Sequence, residues 1–286
     1  MPTTMIFVPG NNPAMVQNAG ILGADSIIFD LEDAVSPDEK DAARILVRNA
    51  LRSVDYGSCE RTVRINSVDH PKWKEDIAEI AKGNPDSIVL PKAQRMETVE
   101  MVQGALEEAE DGQRSIGIIP LIETAEGVER VFEILCCSPR IKTVIFGAED
   151  YTADIGAKRT KEGSEILYAR CRILNAAVAA GVEAIDTPFT DVNDMEGLKE
   201  DVKLAKSLGF RGKALISPRH CKIVMEIFAP SGEEIEYALR VIKTINQAEK
   251  EGKGVVALDG KMIDAPIVAR ARKVLKLAGM EGGNHE

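Results

Sequence analysis

Acidic residues recur where short apolar runs of this sequence end. The acids Asp30, Glu32, Asp33, Glu123, Glu149, Asp150 and Asp186 occupy such positions, and the cations Arg64 and Lys92 occupy two more. If these runs are neighbouring strands, the carboxylates meet and repel one another unless they share a cation. A hard divalent ion with oxygen ligands resolves that repulsion most simply. The pattern therefore predicts a Mg²⁺ site.

Glu123 and Asp150 are the predicted ligands of this ion. They follow two consecutive apolar runs, and Mg²⁺ usually takes one or two protein carboxylates while keeping positions for water or substrate oxygens. The alternative is that each acid caps the next helix or lies on the surface. Glu32 and Asp33 are expected to support the ligands, because acids so close together cannot all bind one ion. Asp33 could equally cap the turn before Pro37.

Arg64 lies in the alternating segment Thr62-Val63-Arg64-Ile65-Asn66, which places Thr62, Arg64 and Asn66 on one face of a strand. In a barrel that face points inward, where an arginine needs a partner. A substrate carboxylate suits the planar guanidinium, and a salt bridge to a neighbouring acid is the alternative. Lys92 could form a Schiff base with a carbonyl substrate, although its acidic surroundings oppose the lowered pKa that this reaction needs.

Eight apolar, β-branched runs recur along the chain, each followed by a segment with helical periodicity. The runs are Met5–Val8, Ser26–Asp30, Thr62–Asn66, Ser87–Leu90, Ile116–Ile122, Thr143–Phe146, Glu183–Asp186 and Lys213–Ile216. This repetition predicts an α/β fold of eight βα units, a (β/α)8 TIM barrel, since closure leaves no edge strand exposed. Catalytic residues of such barrels lie at the C-terminal ends of the strands, where these polar residues occur.

A C-terminal extension follows the eighth run. It contains a predicted helix over Ser231–Lys253, a turn at Asp259-Gly260 and a predicted helix over Pro266–Leu277. It is too long to be a ninth barrel unit. We therefore divide the chain into a catalytic barrel, residues 1–229, and a C-terminal helical extension, residues 230–286.

Composition excludes several classes of function. A net charge of −10 and a pI of about 5.1 argue against nucleic acid as a partner. No apolar run reaches 18 residues, so we expect no membrane partner and a soluble, cytoplasmic protein. Three histidines and five cysteines without C-x-x-C spacing give little support to zinc sites or to Ser-His-Asp hydrolysis.

An ordered set of short motifs resembles the citrate lyase beta-subunit family, within the malyl-CoA lyase and HpcH/HpaI aldolase-like superfamily of metal-dependent barrels. The motifs include Phe7-Val8-Pro9-Gly10, Phe29-Asp30-Leu31-Glu32-Asp33-Ala34, Val63-Arg64-Ile65-Asn66, Leu90-Pro91-Lys92, Ile122-Glu123-Thr124, Gly147-Ala148-Glu149-Asp150-Tyr151, Arg159-Thr160-Lys161-Glu162-Gly163, Leu167-Tyr168-Ala169-Arg170, Gly209-Phe210-Arg211-Gly212-Lys213 and Gly260-Lys261-Met262-Ile263-Asp264. The resemblance implies that Glu123 and Asp150 ligate Mg²⁺ and that Arg64 and Glu123 contact an oxo-acid. It also implies that the extension covers a neighbouring subunit's site, where Asp264 transfers a proton. The alternative for Asp264 is the N-cap of the helix that opens at Pro266.

The resemblance further implies cleavage of a citryl thioester to oxaloacetate and an acetyl thioester. Expected partners are a citrate lyase alpha subunit, an acyl carrier (gamma) subunit and further copies of the chain in a homo-oligomer, a trimer or hexamer. The alternative enzyme is a stand-alone malyl-CoA or citramalyl-CoA lyase, or a thioesterase. A non-catalytic scaffold is the third possibility. Relatives that use free acyl-CoA often carry basic residues after the Pro-Gly loop and a histidine before the proline that follows strand eight. At these two places this chain has Asn11-Asn12-Pro13-Ala14-Met15 and Ser217-Pro218. The difference favours a carrier protein as the source of the thioester.

Overall fold

The computed structural model describes residues 3–110, 112, 115–250 and 256–280. Eight parallel strands close into one barrel in the order of the sequence. The strands are β1 Thr4–Pro9, β2 Ser26–Asp30, β3 Glu60–Arg64, β4 Ser87–Leu90, β5 Gly117–Ile122, β6 Thr143–Phe146, β7 Glu183–Asp186 and β8 Gly212–Leu215. The predicted (β/α)8 barrel is confirmed.

Helices connect successive strands and follow the last one. They are α1 Pro13–Asn18, α2 Lys40–Ser53, α3 Trp73–Ala81, α4 Met96–Ala109, α5 Ala125–Cys136, α6 Ala148–Asp154, α7 Leu167–Ala180, α8 Met195–Leu208 and α9 Cys221–Phe228. The predicted helices correspond to α2 to α5, α7 and α8. The short helices α1, α6 and α9 were not predicted, because six to eight residues carry too little periodicity to be recognised.

Alternation along the strands fills the barrel with apolar side chains. This interior cluster consists of Met5, Ile28, Val89, Ile119, Leu121, Ile145, Ile185 and Ala214, with Phe7 packed against it. One or two residues further along several strands, the inward positions become polar. We call the C-terminal strand ends and the loops that follow them the rim. The apolar interior thus supports a polar rim.

Three buried charged residues and the half-buried Asp201 form an ion cluster around β7 and β8. Arg170 of α7 donates to Asp186 at 2.9 and 2.8 Å and to Asp201 of α8 at 2.6 Å. Lys213 Nζ lies 2.7 Å from Asp186 and 2.6 Å from Asp201. The expectation that Asp186 joins the other acids at the rim is therefore wrong. Ile185 faces the interior, so its neighbour Asp186 faces the helices.

Asn66 corrects a second expectation. The strand ends at Arg64, two residues earlier, so the alternation does not extend to Asn66. Its side chain donates to Asp76 of α3 at 2.6 Å, and Asp76 also accepts from Arg44 at 2.8 Å. Asn66 therefore joins β3 to helices instead of sharing the inward face of Arg64.

The chain divides into two compact units, Met1–Met225 and Glu226–Glu286. The second unit contains α10 Gly232–Lys250, an antiparallel hairpin of β9 Val256–Leu258 and β10 Lys261–Ile263, and α11 Ala265–Leu277. Its own apolar core includes Ala238, Val241, Ile263, Ala271 and Leu275. The turn at Asp259-Gly260 was expected, but strands of three residues are too short to show alternation. In the described parts of the chain, no helix is both long and apolar enough to span a membrane.

Candidate active site

A cavity of about 500 Å³ opens at the rim. Six of the predicted rim residues line it, namely Asp30, Asp33, Arg64, Glu123, Glu149 and Asp150. Apolar groups such as Phe7, Met15 and Ile216 complete its wall. Apolar walls with a few convergent polar groups are typical of small-molecule sites. The barrel therefore brings together the residues that the sequence singled out for chemistry.

Glu123 follows β5 and is buried beneath the cavity, with 2% of its surface exposed. Its Oε1 accepts a hydrogen bond of 2.8 Å from the backbone N–H of Lys92. Burial, followed by the nearby charges of Glu32 and Asp150, raises its pKa to about 8, against the lowering effects of the Lys92 N–H and of Arg64. The ionised form of Glu123 is therefore destabilised at this position, and a nearby positive charge would stabilise it.

Gly147 provides the room that Glu123 needs. A Cβ atom at position 147 would lie 2.7 Å from both Cβ and Oε2 of Glu123, which real side chains do not tolerate. The backbone N–H of Gly147 donates to Ile122 O at 2.9 Å, so the glycine also ties β6 to β5. The approach of these two strand ends requires a residue without a side chain.

Asp150 lies on α6, the short helix that begins directly after Gly147. Gly147 has no side chain to cap this helix, and Thr187 from the end of β7 accepts the Ala148 N–H at 3.0 Å instead. Asp150 is half-buried and lines the cavity that Glu123 also lines. Glu149, its neighbour, is exposed and pairs with Arg159 at 3.0 Å. The two predicted metal ligands thus come from a strand end and a helix start at the same part of the rim.

Arg64 points inward as expected, but it has several partners. Its Nε and Nη2 donate to the two oxygens of Asp30 at 2.8 and 2.6 Å. Nη1 lies 2.9 Å from Glu32 and 3.4 Å from Asp33, and the guanidinium stacks 5.0 Å from the centre of the Phe7 ring. The salt bridge considered as the alternative is present. Contact between Arg64 and a substrate remains a prediction.

Glu32 and Asp33 differ sharply in environment. Glu32 is buried, which raises its pKa to about 7 despite the nearby charge of Arg64. Asp33 is exposed, and its carboxylate accepts a hydrogen bond of 3.4 Å from Arg64 Nη1. It does not cap the helical turn that begins at Pro37. Asp30 accepts from the backbone N–H groups of Glu32 and Ala34, at 2.8 and 3.2 Å, and so folds the loop that carries all three acids.

Lys92 and Asp264 are both exposed, and their surroundings favour the alternatives to catalysis. The side chain of Lys92 is exposed, with φ of 51°, so the desolvation that a Schiff-base lysine needs is missing. Asp264 accepts from Ile267 N at 3.1 Å and caps α11. The N-cap alternative is thus observed, and proton transfer in a neighbouring subunit remains a prediction. Thr187 is polar and ends a strand in the sequence, but as a neutral residue it carries no charge that would indicate a role in the site.

The donor set at the cavity fits a hard divalent cation. Within the described residues, no group of three or more His, Cys, Asp or Glu side chains could hold a metal ion. Two carboxylates with open space beside them match the usual protein share of a Mg²⁺ site. Burial and the charges of Glu32 and Asp150 outweigh Arg64 and raise the pKa of Glu123, and a bound cation would favour its ionised form.

A closed parallel barrel with two carboxylates and an arginine at the C-terminal ends of its strands is typical of metal-dependent (β/α)8 lyases. The HpcH/HpaI aldolase/citrate lyase family model matches residues 3–218. The chain is 48% identical to the citrate lyase subunit beta of Leuconostoc mesenteroides subsp. cremoris, over 96% of this chain and 92% of that protein. It is 32% identical to the human mitochondrial citramalyl-CoA lyase, over 96% and 84% of the two chains.

A solved structure agrees with both matches. The protein CitE from Mycobacterium tuberculosis, in complex with magnesium, acetoacetate and coenzyme A, superposes with a TM-score of 0.80 at 30% identity, covering 97% of this chain and 98% of that one. The chain belongs to the HpcH/HpaI aldolase/citrate lyase family. The resemblance noted in the sequence and the predicted lyase class are confirmed.

Proposed function

We propose that this protein cleaves a citryl thioester to oxaloacetate and an acetyl thioester, as the beta subunit of a citrate lyase that uses Mg²⁺. The observation that carries the proposal is the convergence of Glu123, Asp150 and Arg64 on one cavity of about 500 Å³. The identity of 48% to a citrate lyase subunit beta supports the choice of substrate.

Glu123 and Asp150 are the residues that would hold the ion. When bound, Mg²⁺ supplies Lewis-acid stabilisation of the negative charge that develops on the substrate oxygens. Glu123 is kept in place by the Lys92 N–H and by the space at Gly147. Asp150 is kept in place by the first turn of α6. These restraints preorganise the two carboxylates before the substrate arrives.

Arg64 would orient a carboxylate of the substrate. Asp30 occupies Nε and one N–H of Nη2, and Nη1 lies beside Glu32 and Asp33, which leaves the second Nη2 hydrogen for a further acceptor. Its contact with the Phe7 ring and its pairing with Asp30 restrict the orientation of the guanidinium. A fixed cation at the cavity wall gives the substrate one preferred orientation.

The reaction breaks the bond between the carbinol carbon and the methylene carbon next to the thioester. The hydroxyl proton passes to solvent, the carbinol becomes the ketone of oxaloacetate, and the electron pair of the broken carbon-carbon bond leaves with the acetyl thioester as its enolate. That enolate must take up a proton, and Asp264 from a neighbouring copy is our candidate donor. The exposed position of Asp264 leaves its carboxyl accessible for this role.

A carrier protein is the better candidate to deliver the thioester than free coenzyme A. The loop after β1 and helix α1 carry no basic residue between Gly10 and Leu22. Asn11 in this loop donates to Glu39 at 2.6 Å, and Asn12 caps α1. A phosphate group would meet amides and a carboxylate there. The proposed partners are therefore a citrate lyase alpha subunit and an acyl carrier subunit.

Citramalyl-CoA cleavage is the second candidate, because of the 32% identity to the human citramalyl-CoA lyase. The chemistry at Glu123, Asp150 and Arg64 would be the same. The difference lies in the acyl group and its carrier. The lower identity ranks this candidate below citrate lyase.

Substrate discrimination tests the proposal. Purified protein would be given citryl thioesters of acyl carrier protein and of coenzyme A, together with citramalyl-CoA and malyl-CoA, first with Mg²⁺ and then with excess EDTA. We expect EDTA-sensitive release of oxaloacetate, fastest from the carrier-bound citryl group. Preferential cleavage of citramalyl-CoA or malyl-CoA would refute the citrate lyase assignment while keeping the lyase class.

A further inference from the structure

Helix α6 lacks a cap from its own chain segment. The first N–H groups of any helix need acceptors from outside it, and residue 147, at the N-cap, is a glycine. By contrast, Thr124 caps α5 with its own side chain, which accepts from Gly127 N at 3.1 Å. For α6 the acceptor comes from another strand, through the 3.0 Å hydrogen bond from Ala148 N to Thr187 Oγ1.

Thr187 is placed to control the direction of Asp150. Its side chain is fully buried, it lines the same cavity as Asp150, and it directly follows Asp186 of the buried ion cluster. Asp150 lies only two residues after Ala148, so the orientation of this first turn sets where its carboxylate points. The turn is further held by the bond from Gly147 N to Ile122 O, 2.9 Å, and by Thr152 within α6, whose hydroxyl donates to Ala148 O and Glu149 O at 2.9 and 3.0 Å.

We propose that Thr187 is a positioning residue: its hydroxyl anchors the first turn of α6 to β7 and thereby aims Asp150 at the ion that Glu123 also holds. This inference rests on the proposed function only in assuming a Mg²⁺ site, and it does not depend on which thioester is cleaved. Groups that orient metal ligands without touching the metal commonly change metal affinity by about 10- to 100-fold when removed.

Thr187→Val removes the hydroxyl and keeps the shape, whereas Thr187→Ser keeps the hydroxyl. Thr62→Val is the matched control, since Thr62 is equally buried in the barrel and its hydroxyl contacts Ser26 at 3.4 Å, outside the cavity lining. Mg²⁺ affinity is measured by calorimetry, and protection of the Ala148 amide by hydrogen exchange. Neither readout requires turnover.

We expect Thr187→Val to weaken Mg²⁺ binding by about 10- to 100-fold and to expose the Ala148 amide to exchange. We expect Thr187→Ser and Thr62→Val to bind within about threefold of wild type, by the same reasoning. Should Thr187→Val fail to fold, Thr187→Ala serves in its place. Wild-type affinity in the variant that lacks the hydroxyl, or equal weakening in Thr62→Val, would overturn the proposal.

The test separates this inference from the proposed function. Wild-type protein that binds Mg²⁺ but cleaves no citryl thioester would refute the function and leave the role of Thr187 intact. Wild-type protein that binds Mg²⁺, with unchanged binding in Thr187→Val, would refute the positioning role alone. Failure of the wild-type protein to bind Mg²⁺ would overturn both.

Discussion

At the scale of single residues, Glu123 depends on its immediate surroundings. The Lys92 N–H holds one oxygen and the missing side chain of Gly147 leaves room for the other. Burial, followed by the charges of Glu32 and Asp150, discourages its ionisation. Its pKa is raised to about 8, so in the metal-free protein it stays protonated at neutral pH. Binding of a cation must then release that proton, which makes the affinity for metal rise with pH.

The raised pKa predicts how the stability of the metal-free protein changes with pH. Between its ordinary pKa of 4.5 and about 8, Glu123 is protonated in the folded state and ionised in the unfolded state. The folded state binds more protons, so the free energy of unfolding must fall as pH rises through this interval and level off above it. Its contribution is fully present below pH 4.5. Denaturant unfolding in EDTA, measured from pH 4.5 to pH 9, checks this.

Glu123→Gln isolates this contribution from those of other groups, since glutamine keeps an acceptor for Lys92 N–H. We expect the stability of the wild-type protein relative to Glu123→Gln to decrease by a few kcal/mol across the interval. Glu126→Gln, a change at a half-buried residue three positions further on that pairs with Arg95 and Arg130 outside the cavity lining, serves as the control. A pH-independent difference between wild type and Glu123→Gln would contradict the raised pKa.

The sequence identified the charged residues of the site better than the neutral ones. The positions of Glu123 and Arg64 at the cavity could be predicted, because apolar runs mark where a strand ends and alternation marks which side chains point inward. Thr187 could not be predicted, since a hydroxyl at a strand end is common and its partner lies 39 residues away in the chain. Asp186 was misplaced because the strand-end position alone does not distinguish the interior from the helix-facing side.

At the scale of elements, regular strands and long helices were predictable, whereas short ones were not. The bounds of β2 and β4 follow from apolar runs that end abruptly at polar residues. Helix α6 has only seven residues, so Gly147-Ala148-Glu149-Asp150 could be interpreted merely as a strand end. The hairpin of β9 and β10 is defined by its backbone pairing, and strands of three residues are too short for that pairing to produce a recognisable pattern in the sequence.

The ion cluster between β7, β8, α7 and α8 predicts a large stability effect away from the cavity. Lys213→Met leaves the buried Asp186 and the half-buried Asp201 with Arg170 as their one cation among the described residues, because Lys213 contacts both aspartates. Breaking a buried pair by removing one partner costs about 3–5 kcal/mol. We therefore expect the free energy of unfolding in urea to fall by about that amount.

Lys199→Met on the exposed side of α8 is the matched control for this change. Lys199 pairs with Glu196 at 2.7 Å on the surface, where such pairs contribute about 0–1 kcal/mol. A loss in Lys213→Met no greater than in this control would show that the cluster does not stabilise the barrel.

At the scale of the whole molecule, the chain consists of a barrel unit with the cavity and a second unit with Asp264. The cavity lining belongs wholly to the first unit. If Asp264 acts in a neighbouring copy, then one active site requires two chains. In this arrangement the C-terminal unit would supply Asp264 as a proton donor to the active site of a neighbouring copy.

Mixed oligomers test this arrangement. Asp264→Asn keeps an N-cap for α11, because asparagine caps helices as well as aspartate, but it cannot transfer a proton. We expect Asp264→Asn and Glu123→Gln each to be inactive alone. Random mixing through reversible dissociation should restore about a quarter of wild-type activity, since sites then form from an intact barrel and an intact Asp264.

Asp194→Asn is the control for the N-cap itself, as Asp194 caps α8 through Gly197 N at 2.9 Å. This variant should keep its activity. Activity in unmixed Asp264→Asn, or no recovery on mixing, would refute a shared site.

The most direct measurement of the central claim is a Mg²⁺ titration by calorimetry of wild type, Glu123→Gln and Asp150→Asn, with Glu126→Gln as the control. Each ligand variant loses one of the two carboxylates that would hold the ion. We predict Mg²⁺ binding in the wild type and the control, and an affinity lower by about 100-fold or more in both ligand variants. Wild-type affinity in either ligand variant would contradict the account.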